Sequence, residues 1–175
     1  NKLMLTKEFD IFDNDDLILA LNYRMGPNVS IVFEGDLPQK LPKFLNGLTW
    51  HWPGCKEMDW YYPMAMMGQF YRMTDIINYL PTLDFFNPTT FESCMIGRPF
   101  RHKPFMICLE ESKIIELAVN RVQNTAINNR FGNIDIKTLN TVWLSGKRIK
   151  AEPLYKLPSS LNRYFSVNFE YEERT

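Results

Sequence analysis

The chain has 175 residues, 45% apolar and 23% charged, with basic and acidic side chains in equal number. That length makes one domain, or one large piece of a larger one, and can bury a core without disulfide or metal staples. The net charge is zero, Lys and Arg form no block, and no apolar run is long enough to span a bilayer. These features exclude the usual footprints of nucleic-acid binding, anionic-membrane binding and membrane insertion.

Aromatic residues reach 14%, enough for a bulky core and for rings that line a ligand site. Cys55, Cys94 and Cys108 are odd in number, widely spaced and form no C-x-x-C pair. Free thiols in a reducing compartment, the cytoplasm, suit that pattern better than a zinc site completed by His51 or His102. No secretory signal is present, and the chain begins at Asn1 rather than Met, which points to residues upstream.

Residues 1–16 end in Asp13-Asn14-Asp15-Asp16. Asp13 and Asp15 offer hard oxygen ligands to a divalent ion, Mn²⁺ or Mg²⁺, in D-x-D form. An ordinary polar turn uses the same residues, and that reading is preferred. Residues 17–23 are a short apolar run expected to be a buried strand, broken by Gly26-Pro27. Arg24 and Asn28 then fall on a loop after a strand, where ligands meet open α/β sheets. Residues 29–33 read as a second strand, residues 34–45 as irregular, and residues 48–52 end at the Pro53-Gly54 turn.

The chain is organised around residues 60–77, aromatic and sulfur-rich with no charge before Arg72. A strand is expected after Pro63, with Gly68 marking a bulge or a close backbone approach. Thr74 is placed as the N-cap of a helix that Pro81 stops. The sharpest local signal is Asn87-Pro88, an N-cap followed by proline at the first helical position, for a helix to about Ile96 with Gly97 beyond. Glu92 lies in its second turn and is the carboxylate first suspected of acid–base chemistry, although a lone helix-face Glu is more often a solvated acid.

Arg98, Arg101, His102 and Lys103 on the next loop could hold a diphosphate, with a mobile surface loop the commoner case. Residues 105–109 read as a buried strand and 113–119 as a short one. The segment 120–129 is amide-rich, suited to hydroxyl-bearing ligands and equally to loops. Asp135 or Asn133 caps a helix to about Ser145 that buries Leu139, Val142 and Trp143. Alternation from Tyr164 to Tyr171 predicts a half-buried strand. The fold class expected is α/β or α+β, a mixed, partly antiparallel sheet with short flanking helices.

Several pieces occur in the order found in uncharacterised, mainly bacterial glycosyltransferase-like proteins of the GT-A, nucleotide-diphospho-sugar type. Residues 22–28, NYRMGPN, resemble that group's strand followed by R-x-G-x-N. Residues 62–74 resemble Y-P-x-S-x-D-G-x-[IV]-[FY]-R-T, with Ala65 and Met67 where the pattern has Ser and Asp. Residues 87–92, NPTTFE, resemble N-P-N-x-L-E; Asn120 to Gln123, with 139–146, resemble N-x-V-Q and L-N-x-x-F-L-x-G. The likeness spans about residues 17–150.

The resemblance implies a GT-A-like domain of which this chain is the acceptor-side portion, its nucleotide-binding part preceding residue 1. It implies transfer of a sugar from a nucleotide sugar to a carbohydrate acceptor hydroxyl, with Glu92 as base. Arg24, Asn28, Tyr62, Gly68, Gln69, Arg72, Asn120 and Gln123 would line the substrate site. The alternative is a non-catalytic carbohydrate-binding or protein-interaction domain on the same scaffold. Ala65 and Met67 favour that alternative, and Glu92 and the amide-rich segment fit both.

Overall fold

A computed structural model describes residues 7–32, 37–56, 58–98, 100–121 and 130–174. It is a mixed α/β structure around a four-stranded mixed sheet with short helices. Helix α1 (Lys7–Asn14) leads into strand β1 (Ile18–Asn22). Strand β2 (Thr49–His51), helix α2 (Met58–Tyr61), strand β3 (Gln69–Tyr71) and helices α3 (Met73–Ile76) and α4 (Pro88–Ile96) follow, and strand β4 (Phe105–Cys108) completes the sheet. Its order is β2-β4-β1-β3: β1 and β4 run parallel at the centre, and β2 and β3 pair antiparallel on the outside.

The central position of β1 follows from its composition. All five of its residues are buried, as expected for a strand covered on both faces. Ile18, Leu19 and Leu21 are each 0% exposed, and each such burial contributes roughly 1.5–3 kcal/mol. One face packs Trp50, Trp60, Met64, Met95, Phe100 and Met106; the other packs Phe12, Ile18, Leu21, Tyr23 and Ile107. Met95 of α4 belongs to the first cluster and Phe12 of α1 to the second, so these helices cover opposite faces.

Two small ladders follow. Strand β5 (Glu116–Leu117) pairs parallel with β7 (Arg163–Tyr164), and after helix α5 (Ile136–Leu144) strand β6 (Lys147–Ile149) pairs antiparallel with β8 (Tyr171–Glu173). Among the described residues no helix is long and apolar enough to cross a membrane.

Helix α4 begins where the sequence places it. Asn87 accepts from Thr90 N at 2.9 Å, while the Thr90 hydroxyl accepts from Asn87 N at 3.1 Å, a reciprocal capping box with Pro88 in the first turn. Asp135 likewise caps α5 through Lys137 N.

Four expectations are corrected. Residues 29–32, the described part of the expected 29–33 strand, do not form one: Ser30 and Ile31 donate to Ser160 O, and Ile31 makes only an isolated bridge to Pro38. The strand after Pro63 is confined to Gln69–Tyr71, because the preceding chain is held by side-chain bonds rather than a ladder. Helix α3 starts at Met73 after Arg72, not from a Thr74 cap. On α5, Leu139 and Val142 are only half-buried, and exposed Trp143 lies under the Arg174 guanidinium at 3.8 Å.

The C-terminal alternation survives as burial between its ends: Phe165, Val167 and Phe169 are covered while Ser166, Asn168 and Glu170 are exposed, but Tyr164 is half-buried and Tyr171 exposed, and ladders form only at the two ends.

Asn87→Ala removes one half of the α4 capping box. It is expected to cost about 1 kcal/mol in chemical denaturation, with the denaturant slope unchanged.

Candidate functional site

The carboxyl end of β1 delivers Asn22, Tyr23 and Arg24 to one edge of the sheet, beside the parallel end of β4. Arg24 is 6% exposed, and its Nη2 donates to Asp59 Oδ1 at 3.0 Å. Gln39 donates from Nε2 to the other oxygen of Asp59 at 3.2 Å. Buried charge of this kind is tolerable only when paired and hydrogen-bonded. Arg24, Gln39 and Asp59 therefore pin three separate segments to one point.

Gly68 completes the node. Its carbonyl accepts from Tyr23 N at 2.7 Å and Arg24 N at 3.3 Å. Its φ is +68°, and an added Cβ would stand 3.1 Å from Arg24 Cβ. Both facts require glycine, so the expected close backbone approach is present. Next to it, Ala65 N donates to Gln69 Oε1 at 2.8 Å and to the Tyr71 hydroxyl at 3.0 Å, and Tyr71 also bonds Gln69. Ala65 thus stands over the β3 side chains with its amide satisfied.

This irregular segment presents Met66 N to Glu92, whose Oε1 accepts at 3.1 Å. The Tyr62 hydroxyl faces the same carboxylate as a side-chain hydrogen-bond partner. Burial pushes the Glu92 carboxyl above its ordinary value, against the Met66 amide and the charges of Arg24 and Arg163, which pull it down. Burial and then the Glu92 charge raise the Tyr62 hydroxyl, so it stays protonated and able to donate. Glu92 is therefore a half-buried base between two donors, with two arginines in its field.

Beside it opens a shallow apolar hollow of 440 Å³ lined by Met66, Phe85, Phe86, Asn87, Pro88 and Phe91. Phe86 is 77% exposed, while Phe85 and Phe91 meet edge-on with ring centroids 5.0 Å apart. Exposed rings next to a fixed carboxylate suit a ligand with both an apolar face and hydroxyl groups.

Arg24, Tyr62, Gly68 and Gln69 therefore gather around Glu92 or the segment that holds it. Arg72 does not. Its guanidinium donates to Ile18 O at 2.8 Å, to Asp15 O at 3.0 Å and to Phe12 O, and stacks on the Phe12 ring at 4.3 Å. It clasps the turn between α1 and β1. Asn28 ties loops together instead, accepting from Ser112 N at 2.9 Å and donating to Ser159 O at 2.6 Å. Asn120 is half-buried beyond Val119, and Gln123 lies outside the described residues.

In the basic loop, Lys103 pairs with Asp75 at 2.8 Å and Arg98 lies over the Tyr79 ring, so these two cations are engaged within the fold. Asp15 accepts from Leu17 N at 2.9 Å in a local turn, and Asp13 is exposed at the end of α1. Among the described residues no group of three or more His, Cys, Asp or Glu side chains could hold a metal ion. Asp13 and Asp15 alone do not make a fitting Mn²⁺ or Mg²⁺ site. Cys94 and Cys108 are free thiols.

Asp59, Gln39, Tyr71 and Arg163 are site residues that motif reading missed. Asp59 carried a signal: it is an acid set against the apolar stretch that begins at Trp60. Asn22 carried another, as an amide inside an apolar strand. It is 0% exposed, and neither its Oδ1 nor its Nδ2 has a hydrogen-bond partner among the described residues. Such a group costs stability unless a functional partner reaches it.

Comparison with protein-family models, with curated proteins and with solved structures returned no match.

A raised carboxyl in the folded state contributes stability below the unfolded value, near 4.5, and loses it as pH rises through the folded value. Glu92→Gln is therefore expected to gain in melting temperature over wild type as pH rises above that range. The difference should level off once the pH passes the raised folded value and vanish in acid.

Proposed function

We propose that the chain is part of a glycosyltransferase that moves a sugar from a nucleotide-sugar donor to a carbohydrate hydroxyl, with Glu92 as general base. In that reaction the acceptor oxygen bonds to the anomeric carbon. The bond from that carbon to the donor phosphate oxygen breaks, and the nucleotide (a diphosphate from UDP- or GDP-sugars, CMP from a CMP-sugar) leaves with the electron pair. The acceptor proton passes to the Glu92 carboxylate.

The observation that carries this reading is the placement of Glu92, gripped by Met66 N beside Tyr62, with Met66 and Phe91, the chain neighbour of Glu92, both lining the Phe85–Phe86 hollow. A base works best when its pKa lies nearer the working pH than a free carboxylate allows, and burial moves Glu92 in that direction. The exposed phenyl rings offer the apolar face of an acceptor sugar a surface to pack on, within reach of the helix that carries the base. The order of motifs from Arg24 to Asn120 supports the same reading.

A second reading, a carbohydrate-binding domain without catalysis, is favoured by Ala65 and Met67. The resembling pattern has Ser and Asp there, and this chain offers no carboxylate beside Gly68.

The two readings separate in one assay. The protein is incubated with UDP-, GDP- and CMP-sugars and mono- and oligosaccharide acceptors, with Mn²⁺ and with chelator, and released nucleotide is measured. Transfer is expected with one donor. Glu92→Gln should lower the rate about 10²–10⁴-fold while keeping the donor-induced rise in melting temperature. Saturable binding to a glycan without nucleotide release from any donor would establish the binding domain instead.

A further inference from the structure

We propose that a second cavity, walled by the 40–45 loop and the Trp52–Gly54 turn, binds a small organic phosphate. It has a volume of 350 Å³ and brings together Lys40, Lys43 and Lys56, with His51 on its rim and Trp60 and Leu45 among its apolar lining. That volume is in the range of small-molecule sites, which run from about 300 to 1,000 Å³.

The three lysines differ from four others in the fold. Lys7, Lys103, Lys113 and Lys150 each pair with a carboxylate. No described carboxylate lines this cavity or pairs with Lys40, Lys43 or Lys56. Three lysines lining one hollow concentrate positive charge there, which favours a multiply charged anion. Ammonium groups act as point charges for phosphate oxygens, and the apolar wall suits the carbon skeleton of an organic ester.

The lysines are also held in place from behind. Lys40 follows Gln39, which is anchored to Asp59 and to Val29 O. Lys43 precedes Phe44, which bridges to Trp50 and packs edge-on against Trp60 at 5.8 Å. Lys56 follows Cys55, whose N donates to Trp52 O at 3.1 Å. Gly54 lies so close under His51 that an added Cβ would stand 2.8 Å from Nδ1. The stems therefore start from fixed points on two segments, which reduces the ordering cost of binding.

None of the cavity's residues is among the hydrogen-bond or charge partners shown for Glu92, so this site stands apart from the proposed transferase chemistry. The test uses the full chain with inorganic pyrophosphate, glucose 6-phosphate and glucose, by calorimetry and melting temperature, against sodium chloride at matched ionic strength. Pyrophosphate and glucose 6-phosphate are expected to bind saturably and glucose not to bind.

The triple variant Lys40→Gln, Lys43→Gln, Lys56→Gln changes only exposed side chains and should keep the wild-type melting temperature without ligand. It should bind both phosphates at least tenfold more weakly, whereas Glu92→Gln should bind them as wild type does. Absence of saturable binding, a response equal to that of matched salt, or unchanged affinity in the triple variant would overturn the proposal.

Discussion

The buried pair of Arg24 and Asp59 is the interaction on which the rest of the site depends. Asp59 is 2% exposed and enters a wall otherwise made of Trp50, Trp60 and Met64. An unpaired carboxylate there would be strongly unfavourable, so the segment that carries it is fixed relative to the end of β1. Gln39 holds the second carboxylate oxygen, and the Gly68 carbonyl holds the Arg24 amide. From that point the chain runs through Tyr62 and Ala65 to Met66, whose amide reaches Glu92. A polar contact at the sheet edge thus sets the geometry of a carboxylate on another element.

The two candidate sites share this anchor. On one side it orders the segment that meets α4 and its base. On the other, through Gln39 and Trp60, it backs the lysine-lined cavity. A rigid node between two hollows is consistent with a protein that handles a hydroxyl-bearing ligand and a phosphorylated one at separate places. Arg72, by contrast, serves the turn between α1 and β1, although the motif order placed it with the ligand-binding residues.

What could be read from the sequence was local. The five buried residues of β1, the Asn87 capping box, the Asp135 cap and the demand for glycine at position 68 each follow from a few neighbouring side chains. What could not be read depended on partners far along the chain. Residues 64–68 looked like a strand because they are apolar, yet Gln69 and Tyr71 satisfy the Ala65 amide and no ladder is needed. Trp143 looked like core by helical spacing, but it is exposed, and its ring partner is the guanidinium of Arg174, thirty-one positions away. Glu92 was visible as a helix-face acid, whereas its company of Tyr62, Arg24 and Arg163 was not, since those residues come from three distant segments.

The most direct test is a double-mutant cycle on the anchor, with Arg24→Met, Asp59→Leu and both together followed by denaturant unfolding. Each single change removes one member of the buried pair and should cost about 3–5 kcal/mol. The double variant should lose clearly less than the sum, with a coupling of about 1.5–3 kcal/mol. Losses that simply add would mean that Arg24 and Asp59 act independently, and would contradict the account of how the Glu92 site is held.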